Sequence, residues 1–397
     1  MPAAVDTPPA APAPPVTAGG TGLLRRVVLG LAAPLAAAVV ALTVSSIALL
    51  TSGNDPLTVY RAMLSDGTEL RSLLVTVDNA VPLYLSGVAV AIGFRMALFN
   101  IGVEGQYQLA ALLAAAAGAA VSLPPVLHVL LVVAVAMAVG AGWAGIAGVL
   151  KTTRGVSEVI STIMLNVIAG GIAAYLLADF LSERAEGSND VTTGELAPSA
   201  RFPTLDPVLT ALGVDLPRGS SLGGFVLVAV VVGVAFWLLV NRSRFGFELR
   251  ATGINPFAAV ASGIDARRTT LVAMLLSGAV AGLVGLPQLL GDSYSYGIDF
   301  TAGLGFTGIG VALLGRSSPV GIALAALLFA FLERSSATLQ FIDVPTEIYV
   351  IMQGSIVLSV VVAYEAVRRT GVRQAERAVR SAAPAAGAPP SAPAGAG

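Results

Sequence analysis

Long apolar runs separated by short polar turns dominate the chain. They fall at about 27–50, 71–94, 97–121, 124–150, 156–181, 222–240, 270–290, 301–315, 319–340 and 346–365. A helix needs roughly 20 residues to cross the hydrocarbon of a bilayer, and most of these runs comply. The pattern predicts an all-α polytopic membrane protein with about ten transmembrane helices. The run 301–315 is short and carries Gly303, Gly305, Gly308 and Gly310. It is expected to be a broken or closely packed helix, tolerable only where protein covers it.

The first run follows Arg25-Arg26. It is too long for the apolar region of a signal peptide and no clear cleavage site follows, so it reads as an uncleaved first span. Residues 1–24 and 371–397 are rich in Pro, Ala and Gly and are expected to be disordered tails flanking a transmembrane domain over 25–370. Two outer segments are substantial. Residues 51–70 contain PLTVYRAML, which can form a short amphipathic surface helix. Residues 182–221 form an acidic loop with Pro and Gly, and a loop of that length is functional or disordered.

Charge orients the chain. With the N-terminus in the cytoplasm, 16 of the 22 basic residues fall on the inner side, among them Arg95, Lys151, Arg242, Arg250, Arg267 and Arg316. The positive-inside rule then places both termini in the cytoplasm.

Composition narrows the chemistry. The chain is 56% hydrophobic and 11% charged, against about 25% charged in soluble domains, with a mean hydropathy of +0.85. It has no Cys and one His, His128, which excludes disulfides and Cys nucleophiles and argues against a His-rich metal site or a Ser-His-Asp triad. His128 sits at the mouth of an apolar run and reads as an ordinary interfacial residue. The sole Lys, Lys151, lies in GVLKTTRG and lacks the phosphate-loop spacing, so the chain carries no P-loop ATPase. No catalytic or metal-ligating residue is assigned, and no nucleic acid is expected as a partner.

The polar island 241–270, NRSRFGFELRATGINPFAAVASGIDARRTT, separates two apolar runs and belongs to the cytoplasmic side. Asn255 caps a helix with Pro256 at its first position. Phe257, Ala258 and Ala259 continue it, and Gly263, followed by Ile264, ends it as a left-handed residue. Asp265 is a second cap. The expectation is a two-turn surface helix within Gly253–Ile264, bare at Ala258, Ala259 and Gly263, on which another protein can close. A solvated loop with a stray turn is the plainer alternative.

Polar residues interrupt three spans. Asn100, Glu104 and Gln108 recur every fourth residue with Tyr107 beside them, one stripe if the segment is helical. An ionisable residue within a span costs about 2.5–3.5 kcal/mol on insertion scales, so Glu104 needs a partner or a hydrated cavity. Glu158, Thr162 and Asn166 make a second stripe. Ser157 and Glu158 can instead cap their helix, whereas Asn166 lies too deep for that. Asp78 and Asn79 interrupt a third run. Together the stripes point to a shared hydrated path, while each residue alone is as readily an interhelical hydrogen bond. Phe94, Phe99 and Tyr107 can stack on an aromatic ligand or anchor helix ends at the interface.

LFNIGVEGQ (98–106), GVSEVISTIMLN (155–166), ATGINPFAAVASGI (251–264) and GFTGIGVALLGRSSPVG (305–321) together resemble the permease subunit of a bacterial ABC nucleoside importer, related to sugar and branched-chain amino acid permeases. The acidic residue that usually precedes the two alanines of the coupling loop is Phe257 here, and Ser157 stands where the family often has Asn. The resemblance covers about residues 25–370 and implies a set of partners. These are a second permease chain in a heterodimer, a cytoplasmic ABC ATPase that binds ATP and Mg and docks at Gly253–Ile264, and an extracytoplasmic substrate-binding lipoprotein, all at the bacterial plasma membrane. This chain itself would hold no cofactor and touch membrane lipid. Its substrate path would be lined from Asp78, Asn79, Phe99, Asn100, Glu104, Tyr107, Gln108, Glu158, Thr162 and Asn166. Alternatives are a sugar or branched-chain amino acid as cargo, or a secondary transporter moving a proton through Glu104 or Asp78.

Overall fold

A computed structural model describes residues 38–183, 191–342, 344–345, 348–363 and 369. The tails 1–24 and 371–397, the start of the first apolar run and residues 184–190 of the outer loop lie outside the described residues. The chain divides into two compact units, and Ala41–Leu358 is the one that carries everything below; the other comprises Met1–Val40 and Ser359–Gly397.

The apolar runs become helices. They are α1 (Ala38–Thr51), α2 (Pro56–Gly67), α3 (Leu70–Phe94), α4 (Val103–Ala119), α5 (Pro125–Arg154) and α6 (Glu158–Leu176). The order continues with α7 (Asp206–Ala211), α8 (Phe225–Arg242), α9 (Arg244–Ile254), α10 (Pro256–Ala261), α11 (Ala266–Gly282) and α12 (Leu286–Gln288). The last three are α13 (Leu304–Leu314), α14 (Pro319–Ser336) and α15 (Ile348–Ala363). A π-turn over Leu177–Leu181 extends α6, and a second over Leu289–Ser293 follows α12.

Among the described residues, six stretches are long and apolar enough to cross a membrane: Leu70–Phe94, Pro125–Arg154, Glu158–Leu181, Phe225–Arg242, Ala266–Ser293 and Pro319–Ile342. α1 and α2, bent by 113° at a short break, make up to one more. The chain is therefore a polytopic, multi-pass helical protein. The expected ten divide differently among the described residues. The run 97–121 opens with a non-helical turn and yields the 17-residue α4, and 301–315 yields the 11-residue α13. The bend at Asn54-Asp55 arises because Asp55 caps α2 through Leu57 N–H and Thr58 N–H, with Pro56 at the first helical position.

α3 is the central post. Most of its middle is buried, and α8, α11, α13 and α14 pack around it. Small residues let backbones meet: a methyl group at Gly140, Gly278 or Gly282 would collide with the facing backbone, so α5 and α11 lie in direct contact. A separate cluster joins Leu49, Val59, Met63, Leu332, Leu339 and Ile348.

The outer loop has defined structure where it is described. A two-stranded hairpin pairs β1 (Ser182–Glu183) with β2 (Thr192–Thr193). Residues 193–202 then donate to the segment after α12, with Leu196 N–H on Tyr294 C=O and Phe202 N–H on Leu290 C=O, each at 2.8 Å. His128 is part of this attachment, and the interfacial reading of it is corrected. It is fully buried, 2.8 Å from Ser199 Oγ and 2.9 Å from Gly118 O. An imidazole in an apolar wall needs both ring nitrogens satisfied, and the loop supplies one partner.

Candidate functional site

The polar residues of the α3–α4 turn converge inside the bundle. α3 stops at Phe94, and the chain reverses through Ala97, whose φ is +56°, before α4 starts at Val103. Asn100 therefore precedes the helix, and the expected stripe of three on one helix is corrected to Glu104 and Gln108 alone. Asn100 Nδ2 donates to Gln106 Oε1 at 3.0 Å and to Ser277 Oγ at 2.8 Å. Its Oδ1 accepts from Gln106 Nε2 and from Gly102 N–H. Ser277 in turn donates to Ala89 C=O at 2.6 Å. This paired-amide knot ties α3, α4 and α11 and leaves Asn100 and Gln106 fully buried.

Glu104 is the charged centre. Its Oε1 accepts from Gly303 N–H (2.7 Å), Gln108 Nε2 (2.7 Å) and the Tyr107 hydroxyl (3.0 Å), and its Oε2 accepts from Gly305 N–H (2.9 Å). The carboxylate thus sits on the free N–H groups that open α13, where the helix dipole favours negative charge. Gly303, at φ +91°, supplies the turn that aims these amides. Gly305 must lack a side chain, because a methyl there would strike the Glu104 backbone. The single Tyr107 proton is shared between Glu104 and Thr301 C=O, 2.9 Å away. Ser86 closes the other side by donating to Leu304 C=O. Above the knot, burial and then the Glu104 charge push the Tyr296 phenol up to about 12, so it stays neutral at ordinary pH.

α6 docks on the same corner. Asn166 Oδ1 accepts Gly105 N–H, a free donor in the first turn of α4, and Asn166 Nδ2 donates to Ile101 C=O, both at 2.9 Å. Thr162 is buried and donates back to Glu158 C=O. Ser157 is the N-cap residue but makes no side-chain cap, which corrects that half of the capping alternative, while Glu158 does stand in the first turn of α6 and also pairs with Lys151 at 2.5 Å. The residues of the first two stripes therefore meet each other across α4, α6 and α13. Asp78 and Asn79 do not join them. Asp78 is half-buried and accepts Gly223 N–H, just ahead of α8, at 2.8 Å.

Tyr107 is fully buried, so its ring offers no face to a ligand here. Phe99 is exposed and meets Phe94 edge-on with centroids 5.0 Å apart. Phe99, Thr301 and Phe306 are exposed and Gln108 is half-buried. Sequence reading passed over Gln106, Ser277, Thr301 and Phe306. Gln106 and Phe306 do lie within the motifs 98–106 and 305–321, and Gly303 and Gly305 were signalled by their crowding into a short apolar run.

The island 241–270 is folded. Asn255 Oδ1 accepts from Phe257 N–H (3.0 Å) and Ala258 N–H (3.1 Å), Pro256 starts α10, and Gly263 ends it at φ +82°. Asp265 caps α11 through Arg268 N–H. The eleven-residue α9, started by Ser243 Oγ on Gly246 N–H, was not foreseen. Of the expected bare face, Ala258 and Gly263 are exposed, and only Ala259 is corrected. Ala259 is buried against the protein, while Phe257 (88% exposed), Ile254 and Val260 point outward. Leu249 of α9 is buried with Met96, Leu98, Ala147 and Met274. A side chain at Gly253 would press on the Met96 backbone, so α9 rides directly on the turn that carries Asn100.

Comparison with known proteins places these features in a lineage. Residues 73–361 match the family model described as branched-chain amino acid transport system / permease component. The guanosine ABC transporter permease protein NupP of Bacillus subtilis is 36% identical over 336 residues, covering 83% of this chain and 93% of the relative. The glucose ABC transporter permease protein TsgB13 of Haloferax volcanii is 35% identical, covering 82% and 85%. The nucleoside ABC transporter permease protein NupB of Lactococcus lactis is 31% identical, covering 83% and 90%. No solved structure matches the chain.

Proposed function

The chain belongs to the branched-chain amino acid transport system / permease component family, and on that premise we propose that it is the membrane-spanning subunit of an ATP-driven nucleoside importer in the bacterial plasma membrane. An ABC ATPase would bind ATP and Mg and engage the α9–α10 corner through Ile254 at the end of α9 and Phe257 and Val260 of α10, all exposed apolar side chains. A second permease chain would complete the path, and an extracytoplasmic binding protein would deliver the cargo. Displacement of α10 would pass through Leu249 and Gly253 to the α3–α4 turn, and from there to the knot at Glu104.

The observation that carries the cargo class is the occupation of the α13 N-terminus by Glu104. Helix N-termini inside transporters are natural seats for a substrate carboxylate. Here the amides are already taken by a fixed negative charge, which disfavours an amino acid and favours a neutral cargo. Amides and aromatic faces such as Gln108, Phe99 and Phe306 suit a base and its ribose. The same carboxylate is engaged by four donors of the chain itself.

A sugar cargo is the second reading, favoured by the resemblance to a glucose permease and equally neutral. The test is uptake of labelled nucleoside by cells expressing the chain with its ATPase and binding protein. Uptake that persists after the ATPase is inactivated would sink the ATP-driven reading. A thermal shift of the binding protein with sugar and none with nucleoside would replace the cargo.

A further inference from the structure

A groove of about 710 Å³ runs between α3, α8 and α14, outside the Glu104 knot. Its walls are apolar over their whole length, from Val77 and Val226 to Trp237 and Ser318. The stretch of α8 from Val226 to Trp237 measures about 16 Å at 1.5 Å per residue, close to half of a roughly 30 Å hydrocarbon core. The groove is therefore about as deep as one leaflet. Gly233 forms its floor on α8, where any side chain would strike the Tyr84 hydroxyl.

One end of the groove is basic. Arg242 lies over the Trp237 ring with its guanidinium 5.4 Å from the centroid, an aromatic-cation pair of the kind found at headgroup level. Arg250 donates to Val240 C=O, and Arg95 donates to Ser317 C=O at 2.7 Å, the residue next to the groove-lining Ser318. α9, which carries Arg250, packs at Gly253 on the backbone of Arg95 and Met96. Among the described residues, Arg95, Arg242 and Arg250 form no salt bridge; their recorded partners are neutral carbonyls and a ring.

We infer that this groove seats one acyl chain of an anionic phospholipid whose phosphate rests among Arg242, Arg250 and Arg95. The apolar length matches a single leaflet, and Arg242, Arg250 and Arg95 stand toward the end marked by Trp237 and Ser318. A neutral partner helix would fill the walls but leave three arginines without counter-charge. Phosphate oxygens accept from guanidinium groups in strong, charge-assisted bonds. The seat lies where α8 hands over to α9, so an occupied groove braces the element that leads to α10. The inference rests on the chain spanning a bilayer and is independent of its cargo.

Native mass spectrometry of the full chain in a mild detergent, titrated with phosphatidylglycerol or phosphatidylcholine, decides the matter. The expected result is one retained phosphatidylglycerol bound about tenfold more tightly than phosphatidylcholine, a factor worth about 1.4 kcal/mol. Val230→Trp, which overhangs the groove from an exposed position of α8, abolishes binding of both lipids. Ala323→Phe fills the same space from α14, so a folding failure of one variant leaves the other to decide. Arg242→Gln with Arg250→Gln removes the preference and keeps a weak, unselective site. Equal binding of the two lipids overturns the proposal, as does a preference that survives the groove variants. Full displacement by soluble glycerophosphoglycerol also overturns it, because the site would then hold a free anion rather than a lipid.

Discussion

Four donors from α4 and the start of α13 surround the Glu104 carboxylate. Glu104→Gln keeps the shape but turns an N–H toward a backbone N–H at the mouth of α13. We expect it to destabilise the protein by about 1–3 kcal/mol, read as a lower thermal midpoint in nanodiscs; an unchanged midpoint would show that the carboxylate is not holding α13. Gly305→Ala attacks the same contact from the other side, since its methyl group meets the Glu104 backbone. Membrane insertion with lost transport is the expected phenotype, and wild-type uptake would contradict the close approach. The charge and spacing of Glu104 were legible from residues 98–108. Tyr107 and Gln108, three and four residues on, were legible with it, whereas Gly303 and Gly305 were not, because they lie about 200 positions away and come together with it only when α13 packs on α4.

At the scale of the element, the island 241–270 shows how far local chemistry reaches. Asn255, Pro256, Gly263 and Asp265 each occupy the cap or turn expected of them. Capping depends on the nearest three or four residues, so it can be read without the fold. Which face of α10 looks outward depends on what lies beneath it, and there Ala259 turned in and Phe257 out. α9 escaped notice because its sequence, RFGFELRATGI, has two glycines and a weak apolar stripe; Leu249 is held by tertiary packing. Phe257→Ser should leave expression and melting unchanged and lower substrate-dependent ATP hydrolysis in the assembled transporter at least severalfold. Undiminished hydrolysis would move the docking surface elsewhere. Gly263→Val forces a β-branched residue into a left-handed turn with open space around it. It should impair coupling while insertion remains normal, and failure to insert would mean that this turn is not outside the membrane.

At the scale of the whole molecule, the absence of Cys makes sidedness directly measurable. Phe257→Cys and Leu212→Cys place single thiols on exposed residues of the island and the outer loop. An impermeant thiol reagent added to intact cells should label Leu212→Cys and spare Phe257→Cys until the membrane is opened. The reverse pattern would invert the charge-based orientation.

The sequence by itself determined the solvent of this protein, the class of its fold and the caps of its surface helix. Each follows from short-range properties: twenty apolar residues prefer hydrocarbon wherever they pack, and an Asn-Pro step starts a helix wherever it lies. Only tertiary structure decided that Asn100 pairs with Gln106 and Ser277, that His128 fastens the outer loop, and that Glu104 closes the N-terminus of α13. A buried polar group must find a partner, but the partner's identity is set by which helices touch. Those contacts are governed by glycine approaches between helices far apart in the chain, such as Gly140 on α5 against Gly278 on α11.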